Sequence, residues 1–506
     1  MHLLETVLLL LAVATFVSSV ARRVGVPYPT LLAVCGAVLA FVPGAPRLDL
    51  RPNLVLALFV APLLMDAAYD TSLRDLRRNW APVSSLALLA VALTTAVVAI
   101  VVRGFLPGMP WAAAIALGAL VAPPDAVAAL AVLRHVDPPY RIRSILEGES
   151  LLNDASSLLI YRLAVAAMAA GSFSFGEVAP TIVVIFAGSA AVGWLAGQVI
   201  APLSGRFSDA PSAVIFQFVV TFALWLGAEH LRLSGVVTVV VAGLTIGHSN
   251  AARFPARLRV PTYAIWQTVT VVLNVLAFTL IGLQLGPILA PLDLAARIRY
   301  LAGAAIILGV VILVRFVWVL IHTAVSRGLG RDPSPLTWRG AIIVGWSGMR
   351  GIVTLAAAMA IPAGFPYRDF IQLTAFVVVM GTLVLQGLTL RPLIQLMRLP
   401  TDDLVQRELR IARETALSAA MAELDGDHSP AAERLRAQYQ EALGRSRKGQ
   451  NPRETADNLL RRRSVAASRR AIGDLRRRGV IGDDAYRSAE AELDLLELSA
   501  APLEDR

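Results

Sequence analysis

The chain has 506 residues, of which 56% are hydrophobic and 16% are charged, against roughly 25% charged residues in ordinary globular proteins. So few charged residues cannot cover the surface of a soluble protein of this size, and the long apolar stretches predict a polytopic membrane protein. The single cysteine, Cys35, excludes a disulfide scaffold and a cysteine-based metal cluster.

The formal net charge of +10 is distributed unevenly. Residues 1–398 carry 27 basic and 16 acidic residues, whereas residues 399–506 carry 19 basic and 20 acidic residues. The excess of arginine therefore lies in the hydrophobic part, where loop arginines determine membrane topology. A nucleic-acid-binding protein would instead show a basic soluble face with aromatic residues. The sequence shows no such face, so we expect lipid and no nucleic acid as a partner.

A membrane-spanning helix needs about 20 mostly apolar residues, and the sequence contains thirteen candidate spans. In chain order they are residues 3–20, 28–43, 52–69, 81–102, 110–133, 144–170, 177–200, 210–229, 233–248, 262–291, 300–325, 338–362 and 370–397. The loops after odd-numbered spans, with Arg339 at the start of the twelfth span counted in, hold fifteen arginines, and those after even-numbered spans hold seven. By the positive-inside rule, this predicts a multi-pass plasma-membrane protein with its N-terminus outside and its C-terminal tail in the cytoplasm.

Two regions are therefore predicted: a transmembrane domain over residues 1–398 and a helical cytoplasmic tail over residues 399–506. In the tail, leucine, alanine, arginine and glutamate recur at helical spacing within residues 404–424, 431–443 and 459–475. Glycine-containing stretches at 425–427 and 448–452 predict breaks between these helices. Arginine triplets at 461–463 and 476–478 favour a solvated helix face over lipid contact, because acidic residues are interleaved with them.

Two spans are predicted to be broken near their centres. Pro123 and Pro124 interrupt the fifth span directly before Asp125, because proline lacks a backbone donor and clashes with the preceding turn. A glycine-rich run, Gly-Trp-Ser-Gly-Met-Arg-Gly at 345–351, interrupts the twelfth span and includes Arg350. Spans seven apart cross in opposite directions, as an inverted-repeat transporter requires. The alternative interpretation is a simple proline kink beside a hydrogen-bonded aspartate.

The sixth span carries a polar face within an apolar helix. Glu149 and Asn153 are four residues apart, as are Ser150 and Asp154, so each pair lies on one side of the helix. An ionisable side chain within a span costs about 2.5–3.5 kcal/mol on insertion scales, so this face must point into the helix bundle. Pairing with an intramembrane arginine explains Glu149. Such pairing does not explain why the chain carries two further intramembrane carboxylates, Asp125 and Asp154.

Two carboxylates and a hydroxyl beside the carbonyl groups of a helix break form an oxygen site suited to a small alkali cation. Desolvated carboxylates also take up protons more readily than they do in water. A cation and a proton then compete for the same groups, and this competition combined with alternating access gives antiport. A small alkali cation and H⁺ are the expected transported species, and no cofactor is expected.

The runs Pro123–Ala128, Glu149–Asp154 and Gly345–Gly351 resemble motifs of the sodium/proton exchangers of the monovalent cation:proton antiporter superfamily. The resemblance is to the bacterial, electroneutral branch, in which Asn precedes Asp, and it covers about the first 398 residues. It implies an all-helical fold of about thirteen transmembrane helices with inverted repeats and two crossing broken helices. It also implies a dimerisation domain, a six-helix core that moves like an elevator, and a homodimer.

The resemblance implies roles for the residues of the fifth and sixth spans. Asp154 is the principal carrier of the cation and the proton. Asp125, Ser150 and the carbonyl of Pro124 complete the Na⁺ site. Asn153 stabilises the helix crossing and replaces the second carboxylate of electrogenic relatives, which implies exchange of one cation for one proton.

Further residues are assigned in the same way. Glu149 is a structural ion-pair member with Arg350 or Arg315, and the sequence does not choose between them. Asp66, in the third span, is a further ion-binding or proton-binding residue and stands where many members have Glu. Pro-Asp-Ala at 124–126 stands where many members have Thr-Asp-Pro, and both differences bear on cation preference.

Other classes of function also use intramembrane carboxylates. An intramembrane aspartyl protease needs a matched pair, typically with a Gly-x-Gly-Asp sequence, which this chain lacks. A passive cation channel is the second alternative, but the oppositely directed broken spans favour alternating access. Among antiporters, Li⁺, K⁺ and Ca²⁺ are alternatives to Na⁺ as the transported cation, because selectivity depends on cavity size and ligand field.

Overall fold

A computed structural model gives the fold of the chain. It describes residues 26–42, 52–133, 138–170, 175–250, 254–330, 336–399, 403–448 and 456–500, and scattered residues between 8 and 23. Within these ranges the regular elements are helices and no strand occurs. The chain divides into two compact units, residues 1–401 and 402–506.

The first unit contains the apolar helices. In chain order they are α1 (Tyr28–Leu39), α2 (Ala61–Asp70), α3 (Leu73–Arg78), α4 (Trp80–Phe105), α5 (Trp111–Val121), α6 (Ala126–Leu133), α7 (Tyr140–Ala170), α8 (Phe175–Ser204), α9 (Ala210–His230), α10 (Gly235–Asn250), α11 (Ala256–Leu289), α12 (Leu294–Gly328), α13 (Trp338–Trp346), α14 (Ile352–Met359) and α15 (Arg368–Met397). A π-helical turn, Leu56–Val60, joins the short helix Pro52–Val55 to α2, and a second one, Ser85–Ala90, lies within α4.

Within the described ranges, 7 helices are long and apolar enough to cross a membrane. They are α4, α7, α8, α9, α11, α12 and α15, and the shorter apolar helices α1, α5 and α10 accompany them. The chain is therefore a multi-pass membrane protein. The count of thirteen spans stays a prediction, and the first predicted span, residues 3–20, lies largely outside the described residues.

The two predicted breaks are confirmed. The fifth predicted span consists of α5 and α6, and the twelfth consists of α13 and α14, with non-helical residues between the halves. Several other helices extend beyond the predicted spans, as α12 does by several residues at its N-terminal end. A span prediction finds only the apolar middle of a helix, whereas the helix itself continues into the headgroup region.

The helices of the first unit form two groups. α1, α2 and α8–α11 pack mainly against one another, and α4–α7 pack mainly with α12–α15. Both broken helices belong to the second group. The polar helix α7 packs against α5 within that group and also contacts α2 and α10 of the first group.

Glycines allow α1 and α11 to pack backbone against backbone. A Cβ atom added to Gly282 would lie 2.2 Å from the carbonyl oxygen of Ala33, and one added to Gly36 would lie 2.3 Å from that of Thr279. In a bilayer the lipid tails are as apolar as the helix surfaces, so the hydrophobic effect does not drive helices together. Helices associate instead through close packing, which small residues such as glycine allow. The first group is thereby a closely packed frame.

The second unit contains α16 (Leu404–Glu423), α17 (Pro430–Arg447), α18 (Ala456–Arg477) and α19 (Asp483–Ala500). α16 packs with α17, and α18 packs with α19. Arg469 of α18 pairs with Asp494 and Glu497 of α19, at 2.5 and 2.7 Å. α19 lies outside the predicted helical segments, although its two leading aspartates are typical of a helix N-terminus.

We expect Gly282→Ala to lower the unfolding temperature of the purified protein in detergent. The added methyl group overlaps the α1 backbone, and overpacking of this kind typically costs about 1–3 kcal/mol. Gly309→Ala on α12 is the matched control, because a Cβ atom there meets nothing within 4 Å. Equal unfolding temperatures for the two variants would contradict the close α1–α11 contact.

Candidate functional site

The two broken helices cross at their interruptions. The backbone N–H of Asp125 donates to the carbonyl oxygen of Met349 at 2.6 Å, which joins the α5–α6 break to the α13–α14 break. A Cβ atom on Gly351 would lie 1.7 Å from Oδ2 of Asp125. Since Gly351 has an ordinary extended φ of −133°, glycine is needed here for space and not for backbone conformation.

Asp125 begins the second half of its own broken helix. Its Oδ1 accepts a hydrogen bond from the backbone N–H of Val127 at 2.8 Å. An aspartate in this position satisfies a free N–H of the first turn and interacts favourably with the positive end of the helix dipole. The proline pair before it ends α5, and the aspartate starts α6.

Arg350 donates hydrogen bonds to the carbonyl groups left unpaired at the C-terminal end of α5. Its side chain is 0% exposed; Nε donates to the carbonyl of Val121 at 3.1 Å, and Nη2 donates to that of Ala122 at 3.2 Å. Nη1 donates to the carbonyl of Gly348 within its own break. The last carbonyls of a helix carry partial negative charge, so the guanidinium supplies both the missing donors and an opposing charge.

Glu149 and Arg315 form a buried ion pair. Nη2 of Arg315 donates to Oε2 of Glu149 at 2.9 Å, and Nη1 donates to Oε1. Nη2 also donates to the carbonyl of Val344 at 3.1 Å, so the pair links α7, α12 and α13. Of the two arginines that the sequence leaves open, Arg315 makes this contact with Glu149, and Arg350 bonds to backbone carbonyls.

α7 places Asn153 and Asp154 beside the crossing. Nδ2 of Asn153 donates to the carbonyl of Pro124 at 2.8 Å, which ties α7 to the α5–α6 break. Asp154 is 8% exposed and Asp125 is partly buried. Among the residues that the structure describes, no arginine bonds to either aspartate. The site therefore contains two carboxylates without a positive partner, one buried and one partly buried.

The structure brings together most of the residues that the sequence singles out. Asp125, Pro124, Asn153 and Asp154 meet at the crossing, and the partly buried Ser150 lies one turn before Asp154 on α7. Carbonyl, hydroxyl and carboxylate oxygens are therefore available around one position, and these are the ligands that hard monovalent cations take.

Asp66 lies on α2, in the first helix group. Its Oδ2 accepts a hydrogen bond from Oγ1 of Thr270 at 3.0 Å. It lines a cavity of about 50 Å³ between α2 and α8–α11 of the first helix group, with Asp125, Ser150 and Asp154 outside the cavity lining.

Thr382 supports the site but is missed by sequence reasoning. Its Oγ1 accepts the backbone N–H of Arg350 at 3.0 Å and donates to the carbonyl of Val378 at 2.8 Å. It is 0% exposed. The last predicted span contains three threonines, Thr374, Thr382 and Thr389, and threonine commonly bonds to the preceding turn of its own helix, so the sequence does not single out Thr382.

A family model described as "Sodium/hydrogen exchanger, transmembrane" matches residues 8–396. The chain belongs to the sodium/hydrogen exchanger family. In this exchanger the match includes both broken helices and α7, so the crossing and its two carboxylates lie within the part that defines the family.

Individual relatives agree with this assignment. The exchanger is 30% identical to "Uncharacterized Na(+)/H(+) exchanger YjcE" of Escherichia coli (strain K12), with 97% of this chain and 91% of that protein covered. It is 31% identical to the "Sodium, potassium, lithium and rubidium/H(+) antiporter" of Bacillus pumilus (strain SAFR-032), with 77% of this chain and 61% of that longer protein covered.

A solved structure with a similar fold is that of the sodium proton antiporter MjNhaP1 from Methanocaldococcus jannaschii at pH 8. The TM-score is 0.64 at 17% sequence identity, with 79% of this chain and 100% of that chain covered. At this level of identity the likeness shows a shared fold.

We expect Gly351→Ala to disrupt the crossing. The new methyl group would overlap the carboxylate of Asp125, which would then have to leave its capping position on α6. Sodium-driven proton movement in membrane vesicles should be lost or fall at least tenfold. Gly364→Ala is the control, because a Cβ atom there meets nothing within 4 Å. Parent-like activity of Gly351→Ala would show that the carboxylate does not need this position.

Arg350→Ala is expected to lower expression and unfolding temperature. The change leaves the carbonyls of Val121 and Ala122 without donors in a membrane interior, and each buried unsatisfied group costs about 1–3 kcal/mol. Arg206→Ala, in the exposed turn between α8 and α9, is the control. A well-expressed Arg350→Ala protein that melts with the parent would be inconsistent with this role.

Proposed function

We propose that the protein is a secondary antiporter that exchanges Na⁺ for H⁺ across the cell membrane by alternating access, and so serves pH and sodium homeostasis. The observation that carries the proposal is the pair Asp125 and Asp154. Both carboxylates lie at the crossing of two broken helices, and neither is bonded to an arginine of the described residues. A buried charge without a partner is unstable, so the pair favours a bound cation or a bound proton.

Within this pair, Asp154 is the exchanging group. Asp125 already accepts the N–H of Val127, which fixes its orientation. Asp154 has no such backbone donor among the described residues. It takes up a proton when the cation leaves and releases it when the next cation arrives. The site then moves to the other side of the membrane with α7.

The remaining ligands come from the residues around the crossing. The carbonyl oxygen of Pro124 accepts one hydrogen bond from Asn153 and has a second lone pair for a cation. The hydroxyl of Ser150 lies on α7, the helix that carries Asn153. Asn153 holds the break against α7 and carries no charge itself. Asp66 is proposed to bind the cation at the neighbouring cavity, apart from the crossing.

The assembly and orientation are also proposed. The fifteen-to-seven arginine difference between alternate loops supports a cytoplasmic tail and an outside N-terminus. A homodimer follows from the family resemblance, with the second helix group as the moving core.

A broader alkali-cation preference is the second candidate. The Bacillus pumilus relative is named for sodium, potassium, lithium and rubidium, and the chain has Pro124-Asp125-Ala126 without a threonine hydroxyl. Proton flux in proteoliposomes, recorded with Na⁺, Li⁺ and K⁺ in turn, separates the two candidates.

Asp154→Asn should abolish cation-driven proton movement without unfolding the protein. Asparagine keeps the shape of the side chain but cannot exchange a proton. The measurement is dye-monitored proton flux in proteoliposomes on addition of sodium. Asp293→Asn is the matched control, because Asp293 is an exposed N-cap of α12 and asparagine caps equally well. Flux at the parent's rate in Asp154→Asn would move the carrier role to Asp125 or Asp66.

Exchange is expected to be electroneutral, with one cation for one proton. Glu149 is held by Arg315, and Asn153 cannot titrate, so α7 offers one exchangeable carboxylate. Rates should therefore barely respond to a membrane potential imposed with potassium and valinomycin at constant pH. A clear voltage dependence would mean that a second proton moves in each cycle.

A further inference from the structure

Arg162 is an ionisable residue of the sixth predicted span that the proposed site does not use. It lies on α7 eight residues after Asp154, or about 12 Å along a helix with a rise of about 1.5 Å per residue. Its Nη2 lies 2.7 Å from Oε1 of Glu229, and the two side chains are 49% and 34% exposed. The helix that carries the proposed exchanging group is thus tied by an ion pair to α9.

Glu229 belongs to the other helix group. It lies in the last turn of α9, and its Oε1 also accepts the backbone N–H of Gly235, at the start of α10, at 3.4 Å. One carboxylate oxygen therefore bonds to Arg162 of the second group while it holds the α9–α10 turn of the first group. Any movement of α7 relative to α9 and α10 must break the bond to Arg162.

The ion pair lies at one end of the first helix group. Glu229 is next to the α9–α10 connection, whereas the lining of the Asp66 cavity reaches Ser204 at the end of α8 and Arg259 near the start of α11. Because short connections join α8 to α9, α9 to α10 and α10 to α11, the cavity lies towards the other end of this same group. Arg162 and Glu229 therefore hold the two groups together at the end opposite the cavity, and closure at one end is what one conformation of an alternating-access transporter requires.

We propose that Arg162 and Glu229 form a conformational latch that holds α7 against the first helix group in the conformation seen here and opens in each transport cycle. This inference rests on the alternating-access function proposed above. Partly exposed ion pairs are weak, which suits a contact that breaks repeatedly. The buried pair between Glu149 of α7 and Arg315 of α12 joins helices within one group and stays closed.

The latch has a directional consequence. Its loss lowers the population of the present conformation, and the apparent affinity of a ligand falls with the population of the state that binds it. The half-saturating sodium concentration should rise on the side of the Asp66 cavity and fall on the other side. We expect a shift of about fivefold, which corresponds to about 1 kcal/mol.

The experiment compares Arg162→Gln, Glu229→Gln, the double variant and the charge exchange Arg162→Glu with Glu229→Arg. Half-saturating sodium is measured in right-side-out and in everted membrane vesicles. Arg445→Gln is the control, because Arg445 pairs with Glu441 four residues earlier within the single helix α17 of the second unit.

The latch predicts opposite shifts on the two sides for each single variant, no further shift in the double variant, and recovery in the charge exchange. If the charge exchange fails to express, the comparison of single and double variants decides. Shifts in the same direction on both sides, or values equal to those of Arg445→Gln, would overturn the latch and leave the proposed function intact. Absence of sodium-dependent flux in the parent chain would refute the proposed function and the latch with it.

Discussion

Two helices that stop inside a membrane leave carbonyl and amide groups without helical partners, in a medium that offers no water to replace them. The crossing satisfies these groups with protein donors and acceptors. Arg350 bonds to the last carbonyls of α5, Asp125 accepts an N–H of α6, and the Asp125 N–H reaches the opposite break at Met349. Each element of the site depends on this compensation, because the same unwound backbone that needs it also exposes the oxygens able to bind a cation.

The charges around the crossing are divided between two tasks. Arg350 bonds to backbone carbonyls, and Glu149 pairs with Arg315, so these charges hold helices together. Asp125 and Asp154 lie at the crossing without such a partner among the described residues, so their charge is available for a mobile cation or proton. A transporter needs both kinds of charge, since a site in which every ion is paired has nothing left to exchange.

Local features of the site could be predicted from the sequence, and contacts between distant helices could not. The proline pair and the glycine-rich run predict the breaks because each acts on its own backbone. Four-residue spacing places Asn153 beside Glu149 and Asp154 beside Ser150 on α7. The choice of Arg315 as the partner of Glu149 depends on how α12 packs against α7, which spacing does not contain. Thr382 was missed for the same reason, and Asp66 lies beside a cavity whose walls come from five helices.

The central claim is that one carboxylate site holds either a cation or a proton. The most direct test is the release of protons from the purified protein in weakly buffered detergent when sodium is added, followed with a pH dye while calorimetry records sodium binding. The account predicts one proton released for each sodium bound, and uptake of that proton when sodium is removed. Sodium binding with no proton release across the neutral pH range would contradict it.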